Sequence, residues 1–300
     1  MNRGVWVGFL LAVVLVLTGI GYYLYRGQAD GGIETIEPVE ETIAEVPVEE
    51  TPPAAEIQYP VEPAETADNG DETQPSAPPL PALGDSDPEV REGLEQVFGK
   101  PPIDAYLIPR RIIERLVVAI DSLDGDPLPL RLRPVRHVPG RPEVRVVEDD
   151  QIVLDPRNGE RYAPYISAFK AVDAEQLAAL YLRYYPLFQQ AYADLGFPDR
   201  YFNDRLIGII DHLLRAPEVE GPIRLVRPKV LYRYADPELE DLSSGQKILV
   251  RMGTENARIV KQQLRDIRRA IIAGSAAVKS DLAEGAPADD APVDDDSVED

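Results

Sequence analysis

YFNDRLIGIIDHLLRAP, residues 201–217, puts apolar side chains at Phe202, Leu206, Ile209, Ile210, Leu213 and Leu214, the three-and-four spacing of a single helical stripe. At about 100° per residue, Asp204, Arg205, Gly208, Asp211, His212 and Arg215 fall together on the other face. Pro217 forbids continuation, so the stretch predicts one amphipathic helix of limited length. Such a stripe has to be buried against other elements, and the chain on either side supplies them.

Residues 162–172 (YAPYISAFKAV), 173–196 (DAEQLAALYLRYYPLFQQAYADLG) and 254–274 (TENARIVKQQLRDIRRAIIAG) are helical by the same periodicity. Residues 108–123 add another helix, with Ile112, Ile113, Leu116, Val117 and Ile120 on one stripe and Pro109 suited to its first position. Asp173, Asp199 and Thr254 are expected N-caps and Gly196 a stop, while Pro186 implies a kink or a break in its helix. Residues 142–156 (PEVRVVEDDQIVLDP) alternate Val144 and Val146 against Ile152 and Leu154 around a polar centre, which predicts a short hairpin. In residues 221–240, Pro228 demotes the segment to an edge strand or an extended strap carrying Val230, Tyr232 and Tyr234 on one side. The fold class is therefore mainly α, a compact multi-helix domain with a small β-hairpin or strand element.

The net charge of −22 hides a division. Between Arg26 and Arg91 there is no Lys or Arg, and none follows Lys279, so the acid excess lies in two flanks around a near-neutral middle. Residues 4–25 (GVWVGFLLAVVLVLTGIGYYLY) carry no charge and are long enough, at about 1.5 Å per residue, to cross a hydrocarbon layer of roughly 30 Å once. Trp6, Tyr22, Tyr23 and Tyr25 sit at the ends, where interfacial aromatics belong. The run exceeds the 7–15 residues of a signal-peptide core, which favours an uncleaved anchor over a signal peptide cut at the small-x-small site Gly27-Gln28-Ala29, and the small basic bias of the N-terminus with Arg3 favours that end in the cytoplasm. Four segments follow: 1–27, a transmembrane anchor; 28–88, a disordered acidic Pro/Glu-rich linker; 89–279, the helical globular domain; and 280–300, a disordered acidic tail.

Residue types exclude much chemistry. Cysteine is absent and only His137 and His212 occur, which removes thiol nucleophiles, disulfides and Cys- or His-rich metal sites; no cofactor is expected. G-x-S-x-G, P-loop, H-E-x-x-H and G-x-G-x-x-G motifs are all missing, and DLSSGQK lacks the spaced first glycine of a phosphate loop. Three surfaces are candidates. The polar face with Asp204, Arg205, Asp211, His212 and Arg215 reads either as an acid/base cluster or as a solvated face with an Asp211–Arg215 pair and Gly208 admitting a neighbour. Tyr181, Tyr185, Phe188 and Tyr192 form a stripe that packs a core or stacks on sugar rings. Arg258, Lys261, Arg265, Arg268 and Arg269 line one side of the last helix as a basic stripe that the acidic flanks can compete for.

The phrases YYPLFQQAYADLGFPDRYFNDRLIGIIDHLLRAPE, RPKVLYRYADPELEDLSSGQKILVRMGTENA and DPRNGERYAPY together resemble the bacterial family catalogued as domain of unknown function 3014. The resemblance covers roughly residues 90–275 and implies one N-terminal membrane span followed by a low-complexity linker; it implies no activity. Two functions fit. One is a single-pass inner-membrane protein whose periplasmic domain binds or scaffolds another envelope protein or a cell-wall polymer, without catalysis. The alternative is an envelope hydrolase using Asp204, Asp211 or His212, which needs a further carboxylate or base within reach inside a cleft. A chain this acidic is a poor nucleic-acid binder.

Overall fold

The structure is a computed structural model and describes residues 57–61 and 79–284. The expected anchor at 4–25 and most of both acidic flanks lie outside the described residues. Among those described, no helix is long and apolar enough to cross a membrane. Nine α-helices and four strands are present among them: α1 (Asp87–Phe98), α2 (Lys100–Tyr106), α3 (Ile112–Asp121), β1 (Val144–Val146), β2 (Ile152–Leu154), α4 (Ala163–Lys170), α5 (Ala174–Asp194), α6 (Phe202–Leu214), β3 (Arg224–Val226), β4 (Arg233–Tyr234), α7 (Pro237–Glu240), α8 (Ser244–Arg251) and α9 (Thr254–Glu284).

The core is helix on helix. α9 lies along α5, with α4 and α6 also packed against it, and α3 packs against α5 and α6. The stripe read from the sequence is buried at Phe202, Leu206, Ile209, Ile210 and Leu213, and Ile207 joins it; Leu214 is half-buried. On α9 the buried positions are Val260, Leu264, Ile267 and Ile271, one helical stripe. The aromatic stripe of α5 is interior: Tyr181, Tyr185, Phe188 and Tyr192 are all buried, and Phe188 stacks on Phe202 with centroids 5.7 Å apart. Each such ring removes a large apolar area from water, so core packing displaces the sugar-stacking reading.

The predicted hairpin forms, and its register sets Val144 opposite Leu154 and Val146 opposite Ile152. Residues 221–240 do not form a single strand or strap. They fold into a second hairpin, β3–β4, with Pro228 in the connecting turn where its missing N–H costs nothing. The result is one antiparallel sheet in the order β1-β2-β3-β4, whose Ile152, Leu225 and Tyr234 gather with Val250 of α8 in a satellite cluster.

Helix ends depart from expectation in specific ways. Asp173 caps α5 as predicted, accepting from the Glu175 and Gln176 amides at 2.8 and 3.2 Å. Asp199 does not cap α6, whose N-cap is Tyr201. Thr254 is the first residue of α9, and its hydroxyl donates to the Val219 carbonyl instead. Pro109 precedes α3 by three residues, and the α3 N-terminus is capped from a distance by Asp87, which accepts from the Arg111 and Ile112 amides at 2.7 and 2.8 Å. α5 runs through Pro186 without a break. α8 is an unforeseen helix: Ser243 accepts from the Gln246 amide at 3.3 Å, so DLSSGQK is a helix start and no phosphate loop.

The linker is not structureless throughout. Val61 is 3% exposed and belongs to the main core cluster, and Tyr59, Leu80 and Leu83 pack against it. Composition argues that such a segment cannot bury enough surface to fold by itself; docking onto a preformed helix needs no core of its own.

Candidate functional site

The polar face of α6 is divided among four neighbours. Asp204 accepts from the Gln58 and Tyr59 amides at 3.0 and 2.8 Å. Arg205 reaches the end of α3, donating to the Asp121 carboxylate at 2.7 Å and carbonyl at 2.6 Å and in bidentate fashion to Asp124 at 2.6 and 2.8 Å. Burial acts to lower the Arg205 pKa, but the hydrogen bonds it donates to Asp124 and Asp121 overcome it and raise the pKa; the same contact holds Asp124 below the usual carboxylate range. Asp211 pairs with Arg268 of α9 at 2.8 and 3.1 Å and not with Arg215, which is exposed. Helical proximity therefore did not choose this partner; a packed neighbour brought a guanidinium to two carboxylate oxygens at once. His212 Nε2 lies 2.8 Å from Ser243 Oγ, the cap of α8.

Gly208 admits no neighbour. It is exposed, and a Cβ built there meets nothing within 4 Å. Gly208→Ala should therefore raise stability by about 0.5–1 kcal/mol, through helix propensity and a more restricted unfolded chain. Chemical denaturation of the two chains checks this; a loss would mean the open face is covered in solution.

The basic stripe of α9 is largely paired or buried. Lys261 is 5% exposed and donates to the Ala216 carbonyl at 2.6 Å, just past the end of α6. Arg258 pairs with Glu218 at 2.9 Å, which holds that carboxyl below its ordinary value. Arg269 pairs with Asp266 at 3.1 Å, and Arg265 is exposed. Exposed pairs of this kind contribute about 0–1 kcal/mol each, so they orient the helices more than they stabilise them.

Ser243 and His212 were not joined by the sequence reading, and they are the nearest thing to a nucleophile and base. Burial lowers the His212 pKa, which favours the neutral ring, and the Ser243 hydroxyl oxygen both accepts the Gln246 amide and shares a hydrogen bond with Nε2. That geometry is what a capped helix start requires. Among the described residues no carboxylate hydrogen-bonds to the other ring nitrogen, and neither residue lines the large cleft. A hydrolase built on Asp204, Asp211 and His212 would need these groups to converge; they diverge toward the linker, α9 and α8.

The cleft is elsewhere. A space of about 990 Å³ opens between the sheet and the helices, walled by residues 154–163, by 217–223 and by the α8–α9 junction at 249–258. Acidic groups outnumber basic ones in its lining, with Asp155, Glu218 and Glu220 facing the space along with Arg145, Arg251 and Arg258, and apolar lining comes from residues such as Ile223 and Val250. Because four separated segments make it, only breakers such as Pro156, Pro217, Gly221, Pro222 and Gly253 mark its walls in the sequence. α6 and α9 run antiparallel, with Arg268 at Asp211, Lys261 at Ala216 and Thr254 at Val219. The cleft thus lies at the C-terminal end of α6 and the bound linker segment at its N-terminal end, about 20 Å apart at 1.5 Å per residue.

Fold and site together define a mainly helical domain with a small antiparallel sheet, whose charged helix face serves as an internal joint and whose open cleft lies at one end. The chain belongs to the family described as Protein of unknown function (DUF3014), whose model matches residues 112–268. No curated protein and no solved structure matches it.

Proposed function

We propose that this chain is a non-catalytic binding module of the bacterial cell envelope, held at the inner membrane by an uncleaved span at residues 4–25, with a cytoplasmic N-terminus and a periplasmic domain. The observation that carries the reading is the cleft of about 990 Å³ at the end of the domain opposite the linker segment, on the side a tether leaves free. Its mixed charged and apolar lining suits another envelope protein or a cell-wall polymer that offers hydrogen-bonding and apolar contacts together. The ionisable groups of α6 support the same reading, since each is already engaged in holding the domain together.

A photo-crosslinking residue placed in turn at Glu220, Ile223 and Arg145 on the cleft, and at Arg200 and Arg265 away from it, tests the proposal in cells. Adducts confined to the cleft positions, in full-length protein recovered with the membrane fraction, are expected. Adducts spread equally over all five positions, or protein released in shortened form to the soluble fraction, would sink it.

A further inference from the structure

The first turn of α6 grips a piece of the linker almost entirely by its backbone. Asp204 takes the two consecutive amides of Gln58 and Tyr59. Asn203 donates from Nδ2 to the Tyr59 carbonyl at 2.9 Å, and its Oδ1 accepts the buried Tyr181 hydroxyl at 3.0 Å, which fixes the amide's orientation. The Tyr201 hydroxyl lies 2.5 Å from the Val61 amide and 2.6 Å from the Val61 carbonyl, one bond received and one given. Five hydrogen bonds therefore reach main-chain atoms of residues 58, 59 and 61. Pro60, which has no N–H, sits at the one position between residues 58 and 61 whose nitrogen the site does not use. Side-chain selection falls on Val61, sunk into the core, and on the half-buried Tyr59.

This is capture of a bent peptide by its backbone: residues 58 and 59 turn so that one carboxylate takes both of their amides, while Tyr59 and Val61 find apolar surface. We propose that the first turn of α6 is a docking site for a bent aromatic–Pro–aliphatic peptide, and that the chain fills it with its own residues 57–61 as an exchangeable ligand. The gain from five hydrogen bonds is offset in large part by the entropy of ordering five residues, so the separate peptide binds weakly. Attachment to the domain through residues 62–78 raises its effective concentration to about the millimolar range, which keeps the site filled in the intact chain. The inference is independent of where the chain resides.

The test uses detergent-solubilised full-length protein and a fluorescent peptide of residues 55–63, AEIQYPVEP. In a Gln58→Pro, Tyr59→Pro chain both amides that Asp204 accepts are gone, while no residue of the domain has changed. That chain should bind the free peptide at least tenfold more tightly than the wild type does. Adding Asp204→Ala should erase the gain, and a peptide carrying Val61→Lys should fail on the unoccupied site. The peptide variant keeps the question decidable should the Asp204 variant misfold. Equal binding by wild-type and double-proline chains, indifference to Val61→Lys, or no binding by the double-proline chain would each overturn the proposal, the last making residues 57–61 a fixed part of the fold.

Discussion

Gly245→Ala should destabilise the folded domain by about 1–3 kcal/mol, although the same substitution stabilises α6 at Gly208. Gly245 is the second residue of α8, buried where that helix starts against the turn that ends α3. A Cβ there would stand 2.6 Å from Leu213 Cδ2 and 2.8 Å from the Leu123 carbonyl oxygen. The leucine methyl can swing aside. The carbonyl belongs to backbone that also accepts from the Ser244 hydroxyl and sits beside the Asp121–Asp124–Arg205 junction, so yielding there disturbs three elements together. Propensity alone would favour alanine by about 1 kcal/mol, and the contact reverses the sign. For a folded part of this size each kcal/mol shifts the melting midpoint by about 2–4 °C, so a fall of several degrees in circular dichroism melts is expected. An unchanged midpoint would mean that α8 does not seat this closely on Leu123.

The two glycines show what a single sequence can carry. Each lies within a helical segment, and nothing local separates Gly208 in open space from Gly245 against a carbonyl. What was legible followed from period: the α6 and α9 stripes, the interior aromatics of α5, and the hairpin that brings Val144 and Val146 against Ile152 and Leu154. What was not legible is pairing over distance. Asp211 has Arg215 one turn away and takes Arg268, and Arg205 finds its two aspartates more than eighty residues upstream. Charge–charge attraction on a lone helix is worth a few tenths of a kcal/mol, so tertiary packing readily overrides it. The docked pentapeptide was hidden for another reason. Composition measures whether a segment can bury its own surface, and residues 57–61 are held by main-chain bonds to a surface supplied by residues 201–204. Only a side-chain pattern of small amplitude, an aromatic and a valine around a proline within an acidic run, marked the place.

Arg133→Met should stabilise the chain by about 1–3 kcal/mol, an unusual direction for a change at a fully buried position. Arg133 is 1% exposed, and its Nε and Nη2 both donate to a single acceptor, the Leu128 carbonyl, at 3.2 and 3.1 Å. Nη1 has no partner. Burial pushes the pKa down to about 10, which remains far above neutrality, so the group keeps its charge and the cost of desolvating it is borne at every physiological pH. No carboxylate bonds to it among the described residues; the neighbouring Arg115 donates to the Arg131 and Arg133 carbonyls and adds a second cation to the same corner. Methionine matches the length of the stem, fills irregular space and brings no donors, at the expense of both N–H bonds to the Leu128 carbonyl, a loss of about 1–3 kcal/mol that is set against the larger cost of the desolvated charge. Arg133→Ala separates charge from volume: it also removes the cation but leaves a cavity, and should lose stability where methionine gains it. Urea denaturation of the three chains is the measurement. If methionine destabilises as alanine does, the guanidinium is answering an acceptor in solution, and the buried corner between α3 and the Leu107–Val135 bridge is polar by design.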